Sequence, residues 1–181
     1  MRTKLASLIC LCMFLIGCAS NGVQPWSPQT AVPSARAIIV YGVAVQAPLK
    51  YPAFAVQLDE YDLAKQSISG NCISFNRTMA SISSQQSVMK YFAFDVPAGH
   101  YVYSAFNTAR VEGQVLAFEA RAGQISYLGD FIYGDSQRVT RRESLDAAKL
   151  ALRTDGLPSA REMLPANSTP VEAPKMFLCA P

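Results

Sequence analysis

Histidine is almost missing from this chain: His100 is the only one in 181 residues. A lone histidine removes most His-centred acid–base chemistry and any His-rich metal site. As a general base it would need a nucleophile within reach, and no Gly-x-Ser-x-Gly elbow supplies one. Charge is scarce too, at 16% of residues, with 16 basic against 13 acidic side chains. That is too apolar for a disordered chain and far from the dense basic character of a nucleic-acid binder. Neither a P-loop nor a dinucleotide-binding glycine fingerprint is present. There is no internal repeat and no heptad pattern, and nothing implies a cofactor. The longest apolar run, Leu5 to Ile16, is shorter than the roughly 20 residues a membrane-crossing helix requires.

That run carries the strongest signal. Arg2 and Lys4 precede it without an acid, as in a secretory leader, and it closes on Leu15-Ile16-Gly17-Cys18. This tetrapeptide resembles the lipobox of bacterial lipoproteins. The resemblance implies cleavage between Gly17 and Cys18, and fatty acylation (palmitate-class chains) of Cys18, the first residue of the mature protein. Several acyl chains anchor firmly where a single chain binds only marginally. Ala19 follows the cysteine in place of Asp, which by the same resemblance favours an outer-membrane anchor facing the periplasm. The partner so implied is a membrane, reached through lipid.

Removing the leader changes the arithmetic. Loss of Arg2 and Lys4 takes the basic count from 16 to 14 against 13 acids, a formal balance of +1. Cys10 and Cys12 leave and Cys18 is acylated, so Cys72 and Cys179 are the remaining thiols. In an oxidising envelope they can pair, and a loop of about 100 residues closed this way is worth about 4.7 kcal/mol on a chain-entropy model. Two free thiols are the alternative reading.

Residues 18–35, with Pro25, Pro28 and Pro33, read as a tether spanning on the order of 20–30 Å. Trp26, the only tryptophan, suits either a lipid interface or the domain surface. From residue 36 to 165 the pattern is that of one mainly β domain, a β-sandwich of about seven strands with a short helical C-terminal segment. Strands are predicted at Arg36–Gln46, Phe54–Asp59, Ile73–Met79, Tyr91–Val96, His100–Asn107, Gln114–Arg121 and Gln124–Tyr133. Ser81–Ser87 reads as a polar connection. Pro97-Ala98-Gly99 reads as a hairpin whose glycine takes positive φ. Glu143–Arg153 is a predicted helix capped by Ser144 or Glu143, with a second short helix over Leu157–Leu164. Residues 166–181 form a tail.

The stretches Tyr91–Tyr101 and Leu116–Leu128 together resemble small bacterial lipoproteins with a transthyretin-like or carboxypeptidase-regulatory-like β-sandwich. That resemblance implies a fold and a location, and no catalytic residue. Three further groups are candidates for contact. Arg138, Arg141 and Arg142 are a basic cluster suited to lipid phosphates or anionic glycan. Tyr91, Tyr101, Tyr103, Tyr127 and Tyr133 would make an aromatic platform for a glycan or a peptide edge. Asp59, Glu60 and Asp62 gather carboxylates as calcium prefers, without the spacing of a calcium loop, and Asp130 and Asp135 are a sparser case. The expected role is a non-enzymatic structural or binding lipoprotein with an envelope protein or glycan as partner. An accessory subunit of a secretion or transport machine is the alternative. An envelope hydrolase is the least supported, since no nucleophile–base pair is evident.

Overall fold

The β-branched run Ile38-Ile39-Val40, continued by Val43 and Val45, forms a central strand, β3 (Arg36–Val45), buried along nearly its whole length. Such residues lose little by being extended and gain most when both sheet faces are covered. In the computed structural model, residues 19–26, 31–154 and 162–176 are described. Around β3 lie β1 (Ser20–Asn21), β2 (Gln24–Pro25), β4 (Ala53–Asp62), β5 (Ser67–Ile68), β6 (Ser74–Phe75) and β7 (Arg77–Ser83). They are followed by β8 (Lys90–Pro97), β9 (Gly99–Tyr103), β10 (Leu116–Ala120), β11 (Ile125–Tyr133) and β12 (Val139–Arg142). The helix α1 (Leu145–Thr154) and the short strands β13 (Leu164–Pro165) and β14 (Ser168–Pro170) complete the order.

The protein is mainly β, a sandwich with one short helix among the described residues. One sheet runs β14-β10-β9-β4, with β7 and β5 also paired to β4. The other runs β12-β11-β3-β8-β2, with β13 also on β11. Between the sheets, Tyr41 stacks on Phe94 at 5.6 Å and meets Phe131 edge-on at 5.8 Å. Val56, Leu58, Ile82, Phe118 and Leu128 fill the same core. The Tyr41 hydroxyl is not stranded there: it hydrogen-bonds Thr78 Oγ1 at 2.9 Å and donates to the Val56 carbonyl at 3.1 Å. Burial pushes that phenol well above its ordinary range.

Several expectations need correction. Pro97-Ala98-Gly99 is not a hairpin, because β8 and β9 belong to different sheets. Both neighbours of β8 are already taken by β3 and β2, so the chain crosses the sandwich. Gly99 is not among the glycines with positive φ. Its lack of a side chain is explained by Glu60, whose Oε1 would lie 3.2 Å from a Cβ there. The supposed connection after residue 80 is still strand through Ser83, with Ala80 and Ile82 in the core. Serine at alternate positions marks the solvent side of β7.

The 18–35 segment is not a free spacer over its described part. β1 pairs with β6 and β2 with β8, and Trp26 is buried. Residues 157–161 of the second expected helix lie outside the described residues. Leu164, at its end, is in β13 against β11. The tail expected over 166–181 contains β14, an edge strand on β10.

Candidate functional site

Two buried carboxylates organise the outer faces of the two sheets. On one face, β11 carries a bulge: its register with β3 shifts between Tyr127 and Asp130. Gly129 takes φ +109°, and a Cβ there would lie 2.7 Å from Arg141 Nε. The extra residue turns Tyr127 and Asp130 to the same side. Tyr127 Oη donates to Asp130 Oδ1 at 2.6 Å. The Tyr91 and Ser144 side chains also favour the ionised form of the same carboxylate. Gly42 leaves the space Asp130 occupies, since a Cβ on residue 42 would overlap Asp130 Oδ1.

This polar knot docks α1. Ser144 is its N-cap, with its carbonyl accepting from Ala148 N at 3.0 Å, and its own N–H donates to Tyr127 Oη at 3.2 Å. Beneath the helix, Ala148 and Leu152 pack with Trp26, Ile38, Val40, Ile125 and Met163. Burial raises the Asp130 carboxyl above the ordinary range, opposed by the three hydroxyls and by the Arg141 charge. The same burial, with Asp130 as neighbour, pushes the Tyr91 phenol up to about 12.

On the other face, Asp59 is 1% exposed. Its Oδ1 takes Arg77 Nε at 2.5 Å and its Oδ2 takes Ser104 Oγ at 2.5 Å. The Arg77 guanidinium lies 4.3 Å from the Phe106 ring centre. Beside this triad is an open cleft of about 660 Å³, lined by Ser104, Asn107, Thr108, Arg110, Val115 and Lys175 among others. No protein-family model, curated protein or solved structure matches this chain.

The basic cluster does not act as one patch. Arg141 and Arg142 are consecutive in β12 and so point to opposite faces. Arg141 is tied down: Nε donates to the Leu128 carbonyl at 2.6 Å, Nη2 meets Glu143 at 2.9 Å, and the guanidinium covers Phe118 at 4.8 Å. Arg138 and Arg142 are exposed. Nor is there a tyrosine platform. Tyr101, Tyr103 and Tyr133 belong to the core between the sheets and Tyr127 lies under α1. Two of their hydroxyls close turns, Tyr101 onto the Pro97 carbonyl and Tyr103 onto the Ala109 carbonyl.

The carboxylates at 59, 60 and 62 diverge. Asp59 holds Arg77, Glu60 accepts from Asn76 Nδ2 at 2.6 Å, and Asp62 caps a turn through Ala64 N and Lys65 N. Asp135 sits on an exposed turn, apart from Asp130. His100 is half-buried opposite Glu119 in the β9–β10 pairing.

One spacing escaped the sequence reading. Ser87-Val88-Met89-Lys90 has the Ser-x-x-Lys form used by some serine acyl-enzymes. Here it is an exposed, non-helical approach to β8, and Lys90 Nζ sits 5.2 Å from the Phe92 ring centre.

Gly17, Cys18 and Cys179 lie outside the described residues. Cys72 is exposed, stands at the tip of the turn joining β5 to β6, and is disulfide-bonded. Every other cysteine, and hence its partner, falls outside the described residues.

Proposed function

We propose that this chain is a lipid-anchored lipoprotein of a bacterial cell envelope, acylated on Cys18, with a structural or binding role and no catalysis of its own. The observation that carries the reading is the ending of the charged and apolar leader on Leu15-Ile16-Gly17-Cys18, directly ahead of folded chain at Ser20. The resemblance noted for residues 18 and 19 favours the outer membrane, with the domain in the periplasm.

The non-catalytic reading draws support from the two buried carboxylates. Asp59 is held by Arg77 and Ser104, and Asp130 by Tyr127, with Tyr91 and Ser144 beside it. Asp59 meets the lining of the open cleft at Ser104, and Asp130 is not part of that lining. A binding role draws support from β7, seven residues long and paired among the described residues with β4 alone. Exposed Met79, Ser81 and Ser83 alternate along it, and an open strand of this length can accept a partner's strand by main-chain hydrogen bonding. The partner is then an envelope protein. Under this reading the disulfide at Cys72 closes onto Cys179, because Cys10 and Cys12 leave with the leader and the Cys18 sulfur carries lipid.

Replacing Cys18 with Ala tests the anchor. The variant is expected to retain its leader and to carry no acyl chain on residue 18. A variant that is processed and membrane-bound like the parent would overturn the reading.

A further inference from the structure

A spacer ordinarily lets a lipid-anchored domain tumble above its membrane; here the fold leaves no room for one. Ala19 is the only residue between Cys18 and the first strand-paired position, Ser20. At about 3.3–3.6 Å per residue, two steps of chain reach roughly 7 Å. Ser20 is fastened at once: its N–H donates to the Ile73 carbonyl at 2.6 Å, and its hydroxyl donates to the same oxygen at 3.3 Å. Asn21 then clamps Arg77 from both sides, accepting from its N–H at 3.0 Å and donating to its carbonyl at 2.7 Å. Gly22 N donates to the Phe75 carbonyl at 3.0 Å.

The element so fastened is stiff and presents an apolar tip. Asn71 Oδ1 accepts from Ile73 N at 2.8 Å and from Ser74 N at 3.0 Å, and Gly70 supplies φ +103° for the bend. At the tip Ile73 is 66% exposed. The neighbouring acids are already matched: Asp62 by Lys65 at 3.1 Å, Asp59 by Arg77, and Glu60 by Asn76. No bare carboxylate of this group opposes an anionic headgroup layer.

We infer that the Gly70–Phe75 hairpin rests on the lipid surface, with Ile73 at the headgroup boundary and the strands of the sandwich leading away from it. This rests on the anchor reading and sharpens it into an orientation. The opposite end carries its own exposed apolar residues, Tyr51 and Val88. β4 runs from beside Tyr51 to beside the hairpin, and its ten residues at about 3.3 Å each separate the two ends by roughly 30 Å. A freely tumbling domain would bring both ends to the bilayer; a fastened one brings only the hairpin.

The test uses the full lipidated chain in vesicles of phosphatidylethanolamine and phosphatidylglycerol. A benzophenone side chain is placed at position 73, 51 or 88, all exposed, and lipid adducts are read by mass after illumination. Flotation with the vesicles and acyl mass on the N-terminal peptide are checked first. The expected result is strong lipid adduct formation from 73 and loss of adducts to background from 51 and 88. Adducts from all three alike, or none from 73, in a lipidated and vesicle-bound protein would refute the orientation and leave the anchor standing. An N-terminal peptide without lipid would overturn both.

Discussion

Changing Tyr127 to Phe removes one oxygen from the polar knot under α1 and nothing from the apolar packing around the ring. The lost hydroxyl donates to Asp130 at 2.6 Å and accepts from Ser144 N at 3.2 Å. A buried hydrogen bond to a charged group is worth about 1.5–3 kcal/mol, and the N-cap N–H is left to find water. We therefore expect a loss of about 2 kcal/mol at neutral pH, which for a domain of this size lowers Tm by roughly 4–8 °C. Acid should erode the deficit. The Asp130 carboxyl sits above its ordinary value in the folded protein because of burial, and the Tyr127 hydroxyl is the first of the groups holding it down. Without that hydroxyl the folded-state pKa rises further, so the variant takes up its proton earlier as pH falls. The deficit is full above both folded values and starts to shrink as pH drops through the variant's. It reaches its minimum once pH is below the parent's. Urea unfolding of parent and variant across that range gives the comparison, with exposed Tyr51→Phe as a control within about 0.5 kcal/mol of the parent. A neutral-pH loss as small as the control's, or a loss that does not change with pH, would refute the role assigned to this contact.

Arg77→Ala should be more damaging, about 3–5 kcal/mol by urea midpoint, because it strands the buried Asp59 with Ser104 as its remaining donor. The double change Asp59→Leu with Arg77→Met should recover much of that loss, and a single variant as stable as the parent would contradict the pairing. Trp26→Ala should cost up to about 3–5 kcal/mol where it packs beneath α1, and should open residues 19–35 to limited proteolysis ahead of the sandwich. Unchanged proteolysis would mean that this segment is the spacer its prolines suggested.

Alternation and β-branching made the sandwich legible. Ile38 to Val45, Phe54 to Leu58 and Phe92 to Val96 are strands where the pattern places them. Whether a turn stays within a sheet or crosses between sheets is not written in the turn. Pro97-Ala98-Gly99 has hairpin chemistry, yet β8 already had two neighbours, and only the long-range pairing with β2 and β3 decides it. Prolines at 25, 28 and 33 suggested a spacer, but a two-residue strand on an edge tolerates Pro25 and buries Trp26 next to it. The Asp130 knot was hidden for a different reason. A bulge at Gly129 breaks the two-residue period, so Tyr127 and Asp130 meet although simple alternation separates them. Asp59, Arg77 and Ser104 are far apart in sequence, and β4 alone brings the other two strands to it.

The central claim is a covalent lipid on Cys18, and the direct measurement is the mass of the N-terminal peptide of the membrane-extracted protein. The account predicts that this peptide begins at Cys18 and carries the mass of a diacylglyceryl thioether, with or without a third acyl chain on its amine. A peptide that still begins at Met1, or one that begins at Cys18 with its sulfur bonded to Cys72 and no lipid, would contradict it.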